Sequence, residues 1–160
     1  MTMDAEGLIA RYGLQQHPEG GWFSEVHRSG KSVGTPDGYP GERVALTAIY
    51  FLLRERDFSA FHSVTGEEVW IHLAGAPLEL VLLEPEPQVL KLAAPGEEGN
   101  PLIVVPPGVP QAARSLGSYT LTSCLVAPGF DFDDFHMPRA ADLVAAYPHA
   151  SQLIARFTRG

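Results

Sequence analysis

Apolar and polar residues alternate in short runs along most of this chain, and turn-forming residues end each run. Alternation with a period of two indicates strands, because successive side chains of a strand point to opposite faces. In the run at 22–28, for example, it puts Phe23, Glu25 and His27 on one face. Many short strands separated by turns are typical of a sandwich or barrel. The pattern predicts strands over residues 22–28, 44–53, 59–63, 68–73, 78–83, 89–92, 102–105, 111–114 and 119–126.

Apolar residues recur at helical spacing near the two ends of the chain. Residues 4–14 predict a short helix with Asp4 as its N-cap, and residues 140–146 and 151–157 predict two helices separated by Pro148. No repeat or linker divides the sequence. We therefore expect an all-β fold in a single domain over residues 1–160, with a barrel at about 20–135 and a C-terminal helical segment at about 139–158.

The charge balance excludes two classes of partner. The chain has 160 residues, an apolar fraction of 45%, and a net charge of -8 from 11 basic and 19 acidic residues. Non-specific nucleic-acid binding and anionic-membrane binding both need basic surface, so we expect neither. The sequence suggests no signal peptide and no membrane span, and its single cysteine, Cys124, lies in an apolar run that predicts a buried structural thiol. These features favour a cytoplasmic protein.

The strand predicted at 68–73 has one polar and one apolar side. Glu68, Trp70 and His72 share the first side, and Val69, Ile71 and Leu73 share the second. We expect the apolar side to pack on the core and the polar side to line the barrel interior, where buried Glu and His side chains need partners or a ligand. A polar row facing solvent is the alternative. His62, on the preceding strand, is expected to face Glu68.

Around these residues the sequence resembles the first cupin motif, H-x-H-x3,4-E-x6-G. His62 matches the first His, Glu68 matches the Glu and Gly75 matches the closing Gly, whereas Val64 occupies the position of the second His. The resemblance therefore covers two of the motif's three metal-ligand positions.

The second cupin motif is matched by Pro106 and Gly108, but Gln111 replaces its His and Ser115 replaces its Asn. More specifically, the chain resembles the cupin-like family cupin_5. The stretches that carry this resemblance are His17-Pro-Glu-Gly-Gly-Trp-Phe-Ser-Glu25 with Arg28-Ser29, Thr47-Ala-Ile-Tyr-Phe-Leu-Leu53, Glu67-Glu68-Val-Trp70, Gly75-Ala-Pro-Leu-Glu-Leu80, Val105-Pro-Pro-Gly108 and Val126-Ala-Pro-Gly-Phe-Asp-Phe-Asp-Asp-Phe135. The resemblance implies a double-stranded β-helix, or jelly-roll, barrel, usually a homodimer, with a ligand pocket inside.

The resemblance also implies a metal held by three His and one carboxylate, and this chain offers an incomplete set. His62, Glu68 and the weak amide ligand Gln111 are its candidate metal ligands. His72 lies four residues beyond Glu68, about 13 Å along a strand, which is too far for one ion with bonds of about 2.0–2.3 Å. We therefore expect no tightly bound cofactor, and at most a weakly held divalent metal.

The residues predict a polar pocket for a small molecule instead. Glu68 or His62 is the expected general base, and His72 is expected to pair with a ligand carboxylate or hydroxyl. Tyr50 and Trp70 would supply flat apolar walls. The remaining expected ligand contacts are Gln111 and, at the pocket mouth or across a dimer interface, Glu19, Glu25 and Arg28.

The segment Phe130-Asp-Phe-Asp-Asp-Phe135 alternates aromatic and acidic residues, with a spacing that matches no calcium loop. We expect its rings to pack over the barrel while some of its carboxylates face water. Pairing of Asp131 or Asp134 with Arg28 or Arg43 would fix the segment in place.

Three functions remain open at this point. The first is a metal-independent isomerase or epimerase acting on a sugar-like molecule or an organic acid. The second is a non-catalytic module that binds a small molecule through the same residues. The third is a metal-dependent cupin enzyme, and the absence of His at positions 64 and 111 counts against it. The sequence does not decide between the first two.

Overall fold

The computed structural model describes residues 3–159, and two antiparallel sheets form the body of the protein. The first sheet has the strand order β1 (Gln15–Gln16), β2 (Trp22–Arg28), β3 (Thr47–Arg54), β10 (Tyr119–Ala127), β5 (Glu67–Gly75) and β8 (Leu102–Val105). The second has the order β11 (Phe135–His136), β4 (Ser59–Val64), β9 (Gln111–Ser115), β6 (Leu78–Leu82) and β7 (Gln88–Leu92). The predicted strands are all confirmed, although the strand predicted at 44–53 begins at residue 47.

The helices lie at the two ends of the described chain, as the spacing predicts. They are α1 (Ala5–Tyr12), α2 (Ala140–Ala146) and α3 (Ser151–Arg156), with short 3-10 turns at Phe132–Asp134 and Pro148–Ala150. Asp4 caps α1, because its Oδ1 accepts a hydrogen bond from the Gly7 amide at 2.8 Å. Gly13 ends α1 in the left-handed conformation.

The core lies between the two sheets, and alternation along each strand decides which side chains enter it. On β6, Leu80 and Leu82 join the inner core, whereas Val81 packs outward against α2 and α3. On β3, Phe51 and Leu53 point inward, and Leu52 packs outward beneath α1. Both faces of these central strands are therefore covered, which explains their nearly continuous apolar sequence.

The expected packing of the apolar side of β5 on the core is wrong. Val69 and Ile71 are only half-buried and Leu73 is 46% exposed, whereas Glu68, Trp70 and His72 on the other side are all buried. The polar side faces the barrel interior, so the apolar side lies on the outer surface of the sheet. Helix α1 packs on another part of that surface, around Leu52 and Leu121.

An ion pair fastens the segment that follows β10. The Arg43 guanidinium donates from Nε and Nη2 to the two carboxylate oxygens of Asp134, both at 2.8 Å, and both side chains are buried. This is one of the pairings that the sequence suggested. It joins the loop between β2 and β3 to the segment that leads from β10 into β11.

None of the helices in the described part of the chain has the length and hydropathy that a membrane crossing requires.

Candidate functional site

A cavity of about 420 Å³ opens at one end of the barrel. Thr47 at the start of β3, Val64 at the end of β4 and Glu68 near the start of β5 mark this end. The cavity is lined by His17, Glu19, Phe23, Glu25, Arg28, Thr47, Ile49, His62, Val64, Glu68, Cys124, Val126, Phe130, Asp131, Phe132 and Phe135. The size suits a small organic ligand, and the lining combines apolar walls with a few convergent polar groups, as ligand pockets usually do.

The loop from His17 to Gly21 places two polar side chains in this cavity. A hydrogen bond from the His17 amide to the Gly21 carbonyl closes the loop at 2.9 Å. Gly20 has φ +113°, and a β-carbon there would overlap the carbonyl of Phe58. Glycine is required because only a residue without a β-carbon adopts this conformation so close to another backbone segment. The loop thus brings His17 and Glu19 against β4.

The hydrogen bonds fix the tautomer of both histidines. The Nδ1 atom of His62 lies 2.8 Å from the Ala60 carbonyl, which only accepts, so Nδ1 carries the proton and Nε2 is an acceptor. The Nδ1 atom of His17 accepts the Glu19 amide at 3.1 Å. Burial lowers the pKa of His17 to about 3 and also lowers the pKa of His62, so both rings are neutral near pH 7.

Both of these acceptor nitrogens face the same carboxyl oxygen. Glu19 Oε1 lies 3.3 Å from Nδ1 of His17 and 3.5 Å from Nε2 of His62, while the Ser59 hydroxyl donates to Oε2. A proton on Oε1 can be donated to His62 Nε2, whose lone pair is free, whereas the Nδ1 lone pair of His17 already accepts the Glu19 amide. Burial raises the pKa of Glu19 to about 8, so this carboxyl group carries that proton at neutral pH.

Glu68 is the second buried carboxyl group of the cavity. Its Oε1 accepts a hydrogen bond from Gln111 Nε2 at 2.8 Å, and Gln111 Oε1 in turn accepts from Trp70 Nε1 at 2.8 Å. Burial raises the pKa of Glu68 to about 7, against the opposing effects of His62 and the Gln111 hydrogen bond. Near neutral pH the group therefore exists in both protonation states, as a proton-transfer residue requires.

A second polar group lies at the mouth of the cavity. Arg28 donates from Nε and Nη2 to the Glu25 carboxylate, at 3.2 and 2.7 Å, and from Nη2 to the Phe130 carbonyl at 3.0 Å. Its side chain is 46% exposed.

The register of the pairing between β2 and β3 shifts between Glu25 and His27, which puts Arg28 opposite Thr47. This bulge overturns the expected face of His27, and Arg28 lines the cavity instead.

The structure brings together five of the residues proposed from the sequence. Glu19, Glu25, Arg28, His62 and Glu68 all line the cavity, and their binding or catalytic roles stay predictions. Gln111 lies behind Glu68 and orients it.

Three other candidates lie away from the cavity wall. His72 is on the inner side of β5 but farther along it, where its Nε2 contacts the Gly75 and Ala76 carbonyls at 3.2 and 3.1 Å. Trp70 is buried in the core against Phe51. Tyr50 faces outward and packs on Tyr12 of α1, because both faces of β3 are covered. The expectation that these three side chains line the pocket is therefore wrong.

Part of the cavity lining was not predicted from the sequence. His17 appeared there only in a stretch that resembles the cupin_5 family, although the nearby glycines, Gly20 and Gly21, signal a close backbone approach. Phe130, Phe132 and Phe135 were expected over the barrel and form one wall of the cavity. Cys124 is buried as expected, and it also lies on the cavity wall, where burial raises the pKa of its thiol.

The metal implied by the cupin motif does not fit these residues. Among residues 3–159, no three His, Cys, Asp or Glu side chains are grouped so that they could hold a metal ion. Val64 contributes an apolar wall, Gln111 is engaged at both ends of its amide, and the His17 Nδ1 lone pair is used by the Glu19 amide. The side chains present thus form a hydrogen-bonded acid–base cluster instead of a ligand set.

The sequence pattern of the family Cupin_5, described as "Cupin superfamily (DUF985)", matches residues 6–138. The chain belongs to this family. A hypothetical protein from Leishmania major is 31% identical over 99% of this chain and 100% of that one, with a TM-score of 0.91. A protein from Shewanella oneidensis is 31% identical over 99% of each chain, with a TM-score of 0.89. The two sheets therefore form the cupin fold.

KdgF from Halomonas sp. is a more distant neighbour in fold. It is 16% identical over 78% of this chain and 94% of that one, with a TM-score of 0.53. At that identity the likeness shows the fold alone, because one fold hosts many activities. A comparison with curated proteins gives no match.

Proposed function

We propose that this Cupin_5 protein binds a small polar organic molecule inside the barrel and moves a proton on it without a protein-bound metal. The observation that supports the proposal is that Glu68, whose pKa is about 7, and neutral His62 line the same cavity of about 420 Å³. Groups that titrate near the working pH are the efficient acids and bases of enzymes.

The reaction class that suits this cluster is an isomerisation or epimerisation next to a carbonyl group. Ionised Glu68 removes a proton from the substrate carbon, and the Gln111 hydrogen bond holds the carboxyl group in place during the transfer. Protonated Glu19 is the acid that supports the developing oxyanion or returns a proton. A sugar-like molecule or an organic acid, the two substrate classes expected from the sequence, offers a carbon next to a carbonyl group.

Exchange of substrate hydrogen with solvent deuterium tests the proposal. Sugars and organic acids that raise the melting temperature of the protein would be incubated with it in D2O and examined by NMR. We expect exchange at a carbon next to a carbonyl group, and we expect Glu68→Gln to lower its rate at least about a hundredfold while binding persists.

Glu67→Gln is the matched control, because Glu67 is the neighbouring residue of β5 and its side chain is exposed. It should leave exchange unchanged. If every good binder fails to exchange, the cavity is a binding module and the enzymatic part of the proposal is wrong.

The homodimer that the resemblance implies stays a prediction, which sedimentation equilibrium would test.

A further inference from the structure

The inner end of the cavity is rich in hydrogen-bond acceptors. The fixed tautomers leave His62 Nε2 as an acceptor, and His17 Nδ1 is one already in use. Glu19 and Glu68 become acceptors as well once they ionise. The donors that face them are few, namely the Ser59 hydroxyl and the Gln111 amide. The cluster is therefore held together by protons on its own carboxyl groups.

From this arrangement we propose that the inner end of the ligand carries a primary ammonium group on a small apolar body. This inference rests on the proposed function, since it specifies the substrate class of the same cavity. An ammonium group brings three N–H donors and one positive charge, so it replaces the proton that Glu68 otherwise retains, while Glu19 stays protonated. Organic acids that carry an amino group and an apolar chain meet this requirement.

Acidic side chains outnumber basic ones in the lining of the cavity. Acidic groups come from the His17–Gly21 loop (Glu19), from β2 (Glu25) and from the segment after β10 (Asp131), and Cys124 on β10 is a buried neutral thiol. The neutral rings of His17 and His62 add no positive charge. The lining holds one guanidinium group, Arg28, which is paired with Glu25. Outside the cavity, Arg159 binds backbone carbonyls, and Arg43 is paired with Asp134 and also interacts with Asp131. A cleft with an excess of one sign of charge concentrates ligands of the opposite sign.

The aromatic wall suits the rest of such a ligand. Phe130, Phe132 and Phe135 lie with ring centroids 4.9 to 6.2 Å apart and with interplanar angles of 68 to 83°. Rings at steep angles to one another present both faces and edges to a neighbouring group. They can pack on an apolar body, and a ring face also attracts an ammonium group.

Binding of such a ligand must release protons. The bound ammonium group favours the ionised form of Glu68, so the complex holds fewer protons than the free protein. Affinity therefore tightens as pH rises, by up to about tenfold per pH unit for each proton released. Binding would also convert Glu68 into the carboxylate that acts as the base.

Three ligands of one shape and different charge test the inference. Benzylamine, benzyl alcohol and benzoate share a ring and carry a positive, a zero and a negative charge near neutral pH. Isothermal titration at pH 6 and pH 8, in buffers of different ionisation enthalpy, measures affinity and proton release together. We expect benzylamine to bind at least about tenfold more tightly than benzyl alcohol, with benzoate weakest, and to release protons.

Two variants assign the effect to the cluster. Glu68→Gln keeps the shape and removes the charge, so it should reduce the preference for benzylamine over benzyl alcohol to about threefold or less. Glu67→Gln should preserve the preference. Equal or tighter binding of benzyl alcohol or benzoate, no binding by any of the three, or a preference that survives Glu68→Gln would each overturn the inference. The exchange experiment with D2O is independent of these results, so the proposed function can stand if the ammonium preference fails.

Discussion

At the residue scale, the most informative group is the Glu19 carboxyl. Two histidine nitrogens whose lone pairs are fixed by backbone groups both approach its Oε1, and Ser59 occupies its Oε2. A proton on Oε1 can be donated to His62 Nε2, because the Nδ1 lone pair of His17 already accepts the Glu19 amide. Burial raises the pKa of Glu19 to about 8 and so keeps this proton on the carboxyl group at neutral pH.

The protonation of these carboxyl groups predicts a decline in stability with pH. Folded Glu19 and Glu68 titrate at about 8 and about 7, above the ordinary carboxyl pKa, so their contribution to stability is present at low pH and is lost as pH rises through these values. The pKa values of His17 and His62 are lowered in the folded protein, so these two groups make the free energy of unfolding rise with pH below about pH 6.5. Between pH 6.5 and 8.5 the free energy of unfolding should fall by about 2 kcal/mol.

Urea unfolding at a series of pH values measures this decline. Glu19→Gln keeps a donor toward His62 and removes the titration, so it should flatten most of the slope between pH 6.5 and 8.5. Glu67→Gln, whose side chain is exposed, should leave the slope unchanged. A slope that is equally steep in Glu19→Gln would show that Glu19 is ionised in the folded protein.

The sequence identifies some of the site residues and misplaces others for physical reasons. Motif spacing locates His62 and Glu68, because they lie on consecutive strands of the two sheets and at the same end of the barrel. Alternation shows that His72 faces inward, but it says nothing about distance from the open end of the barrel, and His72 lies too far along β5. His17 reaches the cavity only through a loop whose path depends on contacts with β4, and spacing along the chain does not reveal such contacts.

At the element scale, the segment from β10 to β11 forms one wall of the cavity, and an ion pair on its outer side holds it in place. Its Phe rings face the cavity while Asp134 is held by Arg43 on another loop. Breaking a buried pair leaves an uncompensated charge, which costs more than the pair itself contributes. Arg43→Met should therefore lower the melting temperature by about 5–10 °C.

The double variant Arg43→Met with Asp134→Leu separates the ion pair from general packing. Removing both charges should recover most of the lost melting temperature, as measured by differential scanning calorimetry. If the double variant is no more stable than Arg43→Met alone, the loss comes from packing and the buried charge is not its cause.

Strands and helices are predicted more completely than their irregularities. Period-two alternation and turn residues identify the strands. The nearly continuous apolar sequence of β3 is explained by the packing of both of its faces. Alternation does not predict the bulge in β2. The extra residue of the bulge moves each later side chain of the strand to the opposite face. Alternation also does not predict that Leu73 lies on the outer surface. It shows that Val69, Ile71 and Leu73 share one face of β5, but not whether that face is inside the barrel or outside it.

At the scale of the whole molecule, the C-terminal end of the described chain supports the cavity from behind. Arg159 donates from Nη1 to the Glu19 carbonyl at 2.6 Å and from Nη2 to the Phe58 carbonyl at 2.9 Å, and it lies over the Phe58 ring. Its charge also opposes the rise in the pKa of Glu19. Arg159 is therefore a positioning residue for the loop that carries the acid.

Arg159→Met should raise the pKa of Glu19 and weaken the hold on its loop. We expect the pH dependence of unfolding to shift to higher pH, whereas Arg159→Lys, which retains the charge, should shift it less. Carbon-13 NMR titration of the Glu19 carboxyl group reports the change directly. An unchanged Glu19 titration in Arg159→Met would limit the role of Arg159 to packing.

The contact between Arg159 and Glu19 also has a practical consequence for handling the protein. A fluorescent label attached next to Arg159 would lie beside the loop that forms the inner wall of the cavity. At the other end of the described residues, the Met3 carbonyl lies near the Tyr119 hydroxyl, and Tyr119 pairs with Arg54 at the opposite end of β3. A label next to Met3 would therefore lie at the far end of the barrel from the cavity.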